Sequence, residues 1–340
     1  MKCTQIEKKM EPNIEKAENK RIKLELDSSN KQTNTGDIVS SNSESELTID
    51  EKAPSGIEIE LAIDPLNEPE QAIASDSCTT VASQSKQTES LSDRIARKLR
   101  EGLAKLAQKY NLPTEQKSVQ IGCRFEAPQK YFQKLIDVSY DFKLYKKFDK
   151  VSLRSFCTNN NAAYVAVEET YGDVTYNGHA KKGEQFRNDM TNFGILMEIK
   201  GIEDPFKWSR EAVKKLQIDG TGTYYSPNRT RKPALTSEGN TVSAIQVDTM
   251  EPLFEALGEE YAQYIEDFIT EMQIVFPEMG DDWGIYMPEV KYLSPEPLVN
   301  YNDLSLNDYS NVHFVGDALS ARGITVSGAQ GIYVAESLLS

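Results

Sequence analysis

Polar residues dominate the N-terminal part of this chain, and this limits how much of it can form a core. Residues 1–91 of the 340-residue sequence consist largely of Lys, Glu, Asn, Ser, Thr and Gln and lack aromatic side chains. Such a segment buries too little apolar surface to offset the conformational entropy lost on ordering. The sequence therefore predicts a disordered acidic and polar tail over residues 1–91, followed by ordered segments over 92–150, 151–300 and 301–340.

The charge balance and the small number of metal-binding side chains exclude several classes of function. A formal net charge of -15 argues against general binding of nucleic acid or anionic membranes, because phosphate contacts need concentrated Lys and Arg. Four scattered cysteines and two histidines offer no metal-ligand cluster and favour a reducing, cytoplasmic compartment. The sequence has neither an apolar run that could span a bilayer nor a signal-peptide core.

Hydrophobic periodicity predicts helices and strands after the tail. Apolar spacings of three and four from Ser92 to Tyr110 predict a basic helix, and residues 119–126 alternate as a half-buried strand does, with Arg124 and Glu126 on the polar face. A short helix over 128–137 follows. The Asn177-Gly178 pair predicts a tight turn within a mainly antiparallel region. Residues 251–275 predict a long helix or helix pair, with Gly258 as a possible break.

The C-terminal segment carries the most informative pattern. Residues 311–317 predict a short buried strand that ends in Gly316-Asp317, and a glycine-containing loop and a helix follow. Ligands of open α/β sheets bind at that end of the strands. Gly316 allows a ligand to approach the backbone, Asp317 accepts hydrogen bonds from ligand hydroxyls, and a helix N-terminus near Ser327 favours negative charge.

This segment resembles the second FAD motif of the glutathione-reductase-like flavoproteins. The matching residues are Phe314-Val315-Gly316-Asp317, Arg322-Gly323 and Gly328 to Ala335. The resemblance implies that Asp317 binds the ribityl chain of FAD and that the backbone around Gly323 to Gly328 faces the N1/O2 edge of the flavin. The FAD-binding residues that it implies are Gly316, Asp317, Arg322, Gly323, Ile324, Gly328 and Ala329.

Motifs in the middle of the chain are similar, in order, to those of a group of uncharacterised FAD-dependent dehydrogenases. They are Ile121 to Pro128, Tyr140 to Lys143, Leu153 to Cys157, Tyr176 to His179, Thr191 to Gly194 and Pro288 to Tyr292. The residues themselves suggest Arg124 and Arg154 as partners of an anionic substrate, with paired surface arginines as the alternative. Asn177 and Asn192 join that pocket on resemblance alone. His179 is a candidate proton donor and Cys157 a candidate redox thiol, against a polar turn residue and a buried core thiol.

The N-terminal half of such a flavoprotein is missing from the sequence. No GxGxxG loop follows a predicted strand, so FAD cannot be held here in the usual way. Three explanations for the missing loop remain. The chain is one half of a split enzyme, the product of a truncated or rearranged gene, or a degenerate relative kept as a binding module.

The expected fold is α/β (α+β), with a partial Rossmann-like FAD-binding sheet and an inserted, mainly antiparallel substrate domain. The expected function is that of an FAD-dependent oxidoreductase acting on a small molecule, or of its C-terminal subunit with a partner chain supplying the GxGxxG half. The alternative is a non-catalytic interaction protein derived from that fold.

Overall fold

The computed structural model describes residues 21–22, 56–60, 102–103, 105–293, 295–319 and 324–339. It is a mixed α/β structure with mostly antiparallel sheets. The strands are β1 (Arg21–Ile22), β2 (Glu58–Glu60), β3 (Thr114–Glu115), β4 (Val119–Pro128), β5 (Lys143–Lys147), β6 (Val151–Asn159), β7 (Ala163–Thr170), β8 (Asp173–Ala180), β9 (Met190–Ile199), β10 (Gln217–Ile218), β11 (Thr221–Tyr225), β12 (Ile245–Val247), β13 (Gly284–Lys291), β14 (Glu296–Pro297), β15 (Val299–Asn300), β16 (Ser305–Leu306) and β17 (Tyr309–His313).

The helices lie between and after these strands. The α-helices are α1 (Gln133–Ile136), α2 (Pro205–Lys215), α3 (Glu251–Leu257), α4 (Glu259–Val275) and α5 (Ile324–Leu339), and residues 105–110 are also helical. Gly258 separates α3 from α4 with a φ of 85°, a conformation that few other residues adopt. The predicted helix pair and its break at Gly258 are therefore confirmed. No helix among the described residues is both long enough and apolar enough to cross a membrane.

One ten-stranded sheet organises the molecule. Its order is β1-β2-β5-β6-β9-β4-β13-β11-β10, and β12 adds to β11 in the one parallel pair among the described strands. The central strand β4 pairs with β9 along its whole length, from Val119↔Ile199 to Pro128↔Met190. The predicted boundary at residue 150 does not coincide with a break in this sheet, because β4 lies between strands that come later in the sequence.

The two faces of the sheet are covered differently. One face carries Phe125, Phe193 and their apolar neighbours, which pack with α2, α3 and α4 into the main core. Phe125 stacks on Phe193 at 5.0 Å and on Trp283 at 5.8 Å between ring centroids. The hairpin of β7 and β8 and the segment around Val242 cover part of the opposite face through a smaller core of Val165, Tyr176, Tyr224, Val242 and Tyr286. Polar side chains lie buried between the hairpin and the sheet.

One predicted turn is wrong. Asn177 and Gly178 do not form a turn: they lie inside β8, opposite Ala166 and Val165, and the hairpin turns at Tyr171-Gly172, where both residues have positive φ. Asn-Gly is a common turn sequence, but tertiary pairing overrides that local preference here.

The polar tail predicted over residues 1–91 lies mostly outside the described residues. Within it, β2 pairs with β5, and Ile57 is buried in the main core. The short alternation Ile57, Glu58, Ile59, Glu60 is a strand pattern that the average composition of the tail conceals.

The C-terminal unit forms a separate small layer. Strands β15, β16 and β17 make an antiparallel sheet, and α5 packs on it through Val299, Leu304, Leu319 and Val334. The predicted buried strand at residues 311–315 is instead largely exposed, and β17 pairs with β16 in antiparallel orientation. These observations do not confirm a Rossmann-like sheet. The strand, the Gly-Asp turn and the helix nevertheless follow one another as expected.

Candidate functional site

A fully buried arginine is the centre of the polar layer between the sheet and the hairpin. Alternation along β4 directs Ile121, Cys123 and Phe125 into the main core and Arg124 toward the hairpin. The Arg124 guanidinium donates to the carbonyls of Phe156 and Cys157 at 3.3 Å and to Asn177 Oδ1 at 3.4 Å. Its Nε has no hydrogen-bond partner among the described residues. A buried cation of this kind requires an anion nearby.

Glu289 of β13 supplies that anion. Its Oε2 lies 3.5 Å from Arg124 Nη1, and both side chains are almost completely buried. Gly194 of β9 makes room for the carboxylate, since a Cβ at that position would lie 2.6 Å from Oε1. Burial raises the pKa of Glu289 to about 7, and Arg124 and Lys291 oppose the shift. The pair therefore carries a carboxyl that can exchange a proton near neutral pH.

Asn192 and Gly178 complete the buried part of the site. Asn192, on β9, accepts a hydrogen bond from Asn159 at 3.2 Å, and its Nδ2 has no partner among the described residues. A side chain at Gly178 would collide with both the Arg124 guanidinium and Asn192 Oδ1. The absence of a side chain at Gly178 thus lets the hairpin close over these groups.

A chain of hydrogen bonds leads from Arg124 to the surface. Asn177 accepts from Arg124, and its Nδ2 donates to Glu168 Oε1 at 3.0 Å. The same Glu168 oxygen lies 3.4 Å from His179 Nε2. Burial acts to raise the pKa of Glu168, but hydrogen bonds with His179 and Asn177 outweigh it and leave the pKa below its usual value. Glu168 therefore orients an exposed histidine, as a carboxylate does beside many catalytic imidazoles.

Cys157 lies at an irregularity of β6 beside the same arginine. The pairing of β6 with β9 shifts register between Phe156 and Asn159, and Cys157 has a φ of 48°. Its carbonyl accepts from Arg124, while the residue itself is exposed. Partial burial of the thiol raises its pKa, although Arg124 and Lys291 oppose the shift. The thiol is therefore protonated at neutral pH, which is unfavourable for a nucleophile.

Arg154 does not join this cluster. Its guanidinium lies 5.8 Å from the centroid of the Phe156 ring, and no hydrogen bond or ion pair links it to Arg124 in the described part of the chain. Of the four predicted substrate-binding residues, the structure brings Arg124, Asn177 and Asn192 together and leaves Arg154 exposed on β6.

A second charged network lies next to the first and was not predicted. Glu126, on β4, is 3.5 Å from Arg231 Nη2, and Arg231 also binds Asp282 at 2.6 Å. Burial raises the pKa of Glu126 to about 7, against the effect of Arg231. Arg231 lies in the long connection between β11 and β12, where no periodic pattern marks it in the sequence.

The predicted FAD-binding residues lie in the C-terminal unit. Gly316 is buried with a φ of 68°, and its N–H donates to Gln330 Oε1 at 2.7 Å. Asp317 is exposed, and no other atoms crowd the space that a side chain at Gly328 would occupy. Ala329 is exposed on α5, and Ile324 begins that helix. Arg322 and Gly323 lie outside the described residues. No described hydrogen bond or ion pair links residues 316–319 or 324–339 to the Arg124 cluster.

The structure describes only part of the predicted FAD-binding set, and its described members lie at or near the surface of the C-terminal unit, apart from the buried Gly316. Asp317 is exposed, and a Cβ added at Gly328 would meet no atom within 4 Å. No described group of His, Cys, Asp and Glu residues is arranged to hold a metal ion. No protein-family model matches the chain, and no curated protein matches it significantly.

Proposed function

We propose that this chain is the substrate-domain and C-terminal part of an FAD-dependent oxidoreductase, completed by a partner chain that carries the GxGxxG half. One observation carries the proposal. Arg124, Cys157, Asn177 and Asn192 come from four separate motifs that resemble those dehydrogenases, and they meet in one polar cluster. His179 belongs to the same hydrogen-bonded chain through Glu168.

The cluster has the features expected of a site for a polar or anionic small molecule. Arg124 Nε and Asn192 Nδ2 are buried donors without partners among the described residues. An entering carboxylate or hydroxyl would satisfy them. The Glu168–His179 pair would exchange the substrate proton, while a bound flavin would accept the hydride. The FAD-binding strand, loop and helix would then be a remnant of a Rossmann-like sheet that the partner completes.

The proposed FAD-binding residues of the C-terminal unit predict which ligands should compete for the site. Because Asp317 and the start of α5 are proposed to face the ribityl and pyrimidine end of FAD, riboflavin should compete with FAD for the isolated chain and AMP should not. The measurement is a titration followed by flavin fluorescence. Asp317→Asn should abolish the binding, while Asp308→Asn, which alters another exposed aspartate of the same unit, should leave it unchanged. Competition by AMP, or equal binding by both variants, would contradict the proposal.

Binding without catalysis is the second candidate function. It is favoured by the complete burial of Arg124 and Asn192, since a closed network of this kind can simply specify how the hairpin packs. The two functions differ in one measurement. A complex that retains FAD and is reduced in a substrate-dependent manner supports the oxidoreductase, whereas a complex without flavin supports a binding protein.

A further inference from the structure

Most of the described apolar side chains on the C-terminal helix are exposed. Val334 is the only buried side chain that the structure describes on α5, while Ile332 is 64% exposed and Leu338 is 65% exposed. Val326, Tyr333 and Leu339 are exposed as well. Glu336 is the single charged residue of the helix. A helix that is apolar around its circumference is normally buried, so a surface outside the described residues is expected to cover it.

The strand before this helix also lacks a neighbour. Among the described residues, β17 pairs only with β16, and its other edge presents unpaired backbone groups. The strand has no Lys, Glu or Pro, which commonly protect exposed edges from pairing. Tyr309 and Val312 on it are exposed. A partner that covers α5 and pairs with β17 must therefore supply both an apolar surface and a β-strand, that is, the edge of a β-sheet.

Charge distinguishes a different chain from a second copy. Asp308, Asp317 and Glu336 are exposed in this unit, and the described residues of 295–319 and 324–339 include no Lys or Arg. Two copies would bring acidic surfaces together, whereas a partner with a basic rim would complement them. We propose that β17 and α5 bind a different chain by strand addition, the partner's sheet extending β17 and its apolar face covering α5. This inference rests on the proposed function, because that partner would carry the GxGxxG half.

The first test identifies the partner at single-residue resolution. The full chain, carrying a photo-crosslinking amino acid in place of Ile332 or of Tyr309, is expressed in the cells from which the sequence comes and irradiated. Both positions should capture one and the same chain, and that chain should contain a GxGxxG loop after a predicted strand. The same amino acid in place of Val138, which is 55% exposed elsewhere, should not capture it. Capture of a second copy, of no chain, or of a chain without that loop would overturn the proposal.

The second test measures the interface with the purified partner. Ile332→Glu should weaken binding by about tenfold or more, since it places a charge in a buried interface, and Val138→Glu should leave binding unchanged. Because the partner's rim is proposed to be basic, affinity should fall as salt rises. Equal binding by both variants, or affinity independent of salt, would overturn the proposal. A complex that forms in this way but retains no flavin would leave the interface standing and reject the proposed function.

Discussion

At the scale of single residues, Arg124 and Glu289 depend on each other. Both side chains are buried, so bulk water cannot solvate the carboxylate or the guanidinium. Arg124→Met should therefore destabilise the protein by about 3–5 kcal/mol, because it leaves a buried carboxylate without its cation. The double variant Arg124→Met/Glu289→Gln should recover much of this loss. The measurement is urea denaturation at about pH 9, above the pKa of Glu289, so that the carboxylate is ionised.

An exposed arginine provides the matched control. Arg154→Met removes the same charge and a similar length of side chain from β6, but no ion pair of Arg154 is described. We expect its free energy of unfolding to stay within about 0.5 kcal/mol of the wild type. If both single variants had the same effect, or if the double variant were no better than Arg124→Met alone, the pair would not be coupled.

The raised pKa of Glu289 predicts how stability changes with pH. Burial lifts the pKa of this carboxyl from 4.5 to about 7, so the folded state binds a proton more tightly than the unfolded state. The protonated Glu289 carboxyl therefore stabilises the folded state most strongly below the unfolded pKa. This stabilisation is lost as pH rises through the folded pKa. Glu289→Gln cannot titrate, so its stability relative to wild type should increase between about pH 4.5 and about pH 7 and stay level above that.

Denaturation midpoints at several pH values check this, and Glu278→Gln serves as the control. Glu278 lies in the short 3-10 helix after α4, where it is exposed. Its substitution should leave the shape of the pH profile unchanged. A difference between wild type and Glu289→Gln that stayed constant across the range would mean that the Glu289 carboxyl titrates normally.

At the scale of secondary structure, the hairpin of β7 and β8 depends on a glycine. Gly178→Ala would place a methyl group against Arg124 and Asn192, both fully buried. Overpacking of this kind destabilises by about 1–3 kcal/mol. Gly331→Ala is the matched control: it adds the same methyl group to α5 in open space, where alanine favours the helix by about 0.5–1 kcal/mol. A tolerated Gly178→Ala would show that the hairpin can lift from the sheet without loss.

The strands and helices also differ in how far they could be predicted from the sequence. Local patterns were enough for the break at Gly258 and for the polar face of β4, because periodicity and turn chemistry act over a few residues. The pairing of Arg124 with Glu289 could not be predicted from spacing, because it follows from β13 lying beside β4. Glu168 was missed for a related reason: its contact with His179 depends on where the β7–β8 hairpin turns.

At the scale of the whole molecule, the C-terminal unit and the main sheet have separate cores. The unit packs around Val299, Leu304, Leu319 and Val334, and none of these residues belongs to the core under the main sheet. The described links between the two are local. They are the pairing of β14 with β3, the Leu298 N–H donated to the Pro113 carbonyl, and an ion pair between Lys117 and Glu296.

Removal of this unit should therefore leave the main sheet folded. A chain ending at Leu293 keeps every strand of the ten-stranded sheet and the helices α2, α3 and α4. Since α5 and the open edge of β17 are gone, it should also aggregate less. Near-ultraviolet circular dichroism and the cooperativity of denaturation test the prediction. A chain ending at Phe276 lacks β13 and should not fold cooperatively. If the chain ending at Leu293 also lost cooperative unfolding, the two cores would be one folding unit, and the C-terminal helix would stabilise the fold that holds Arg124.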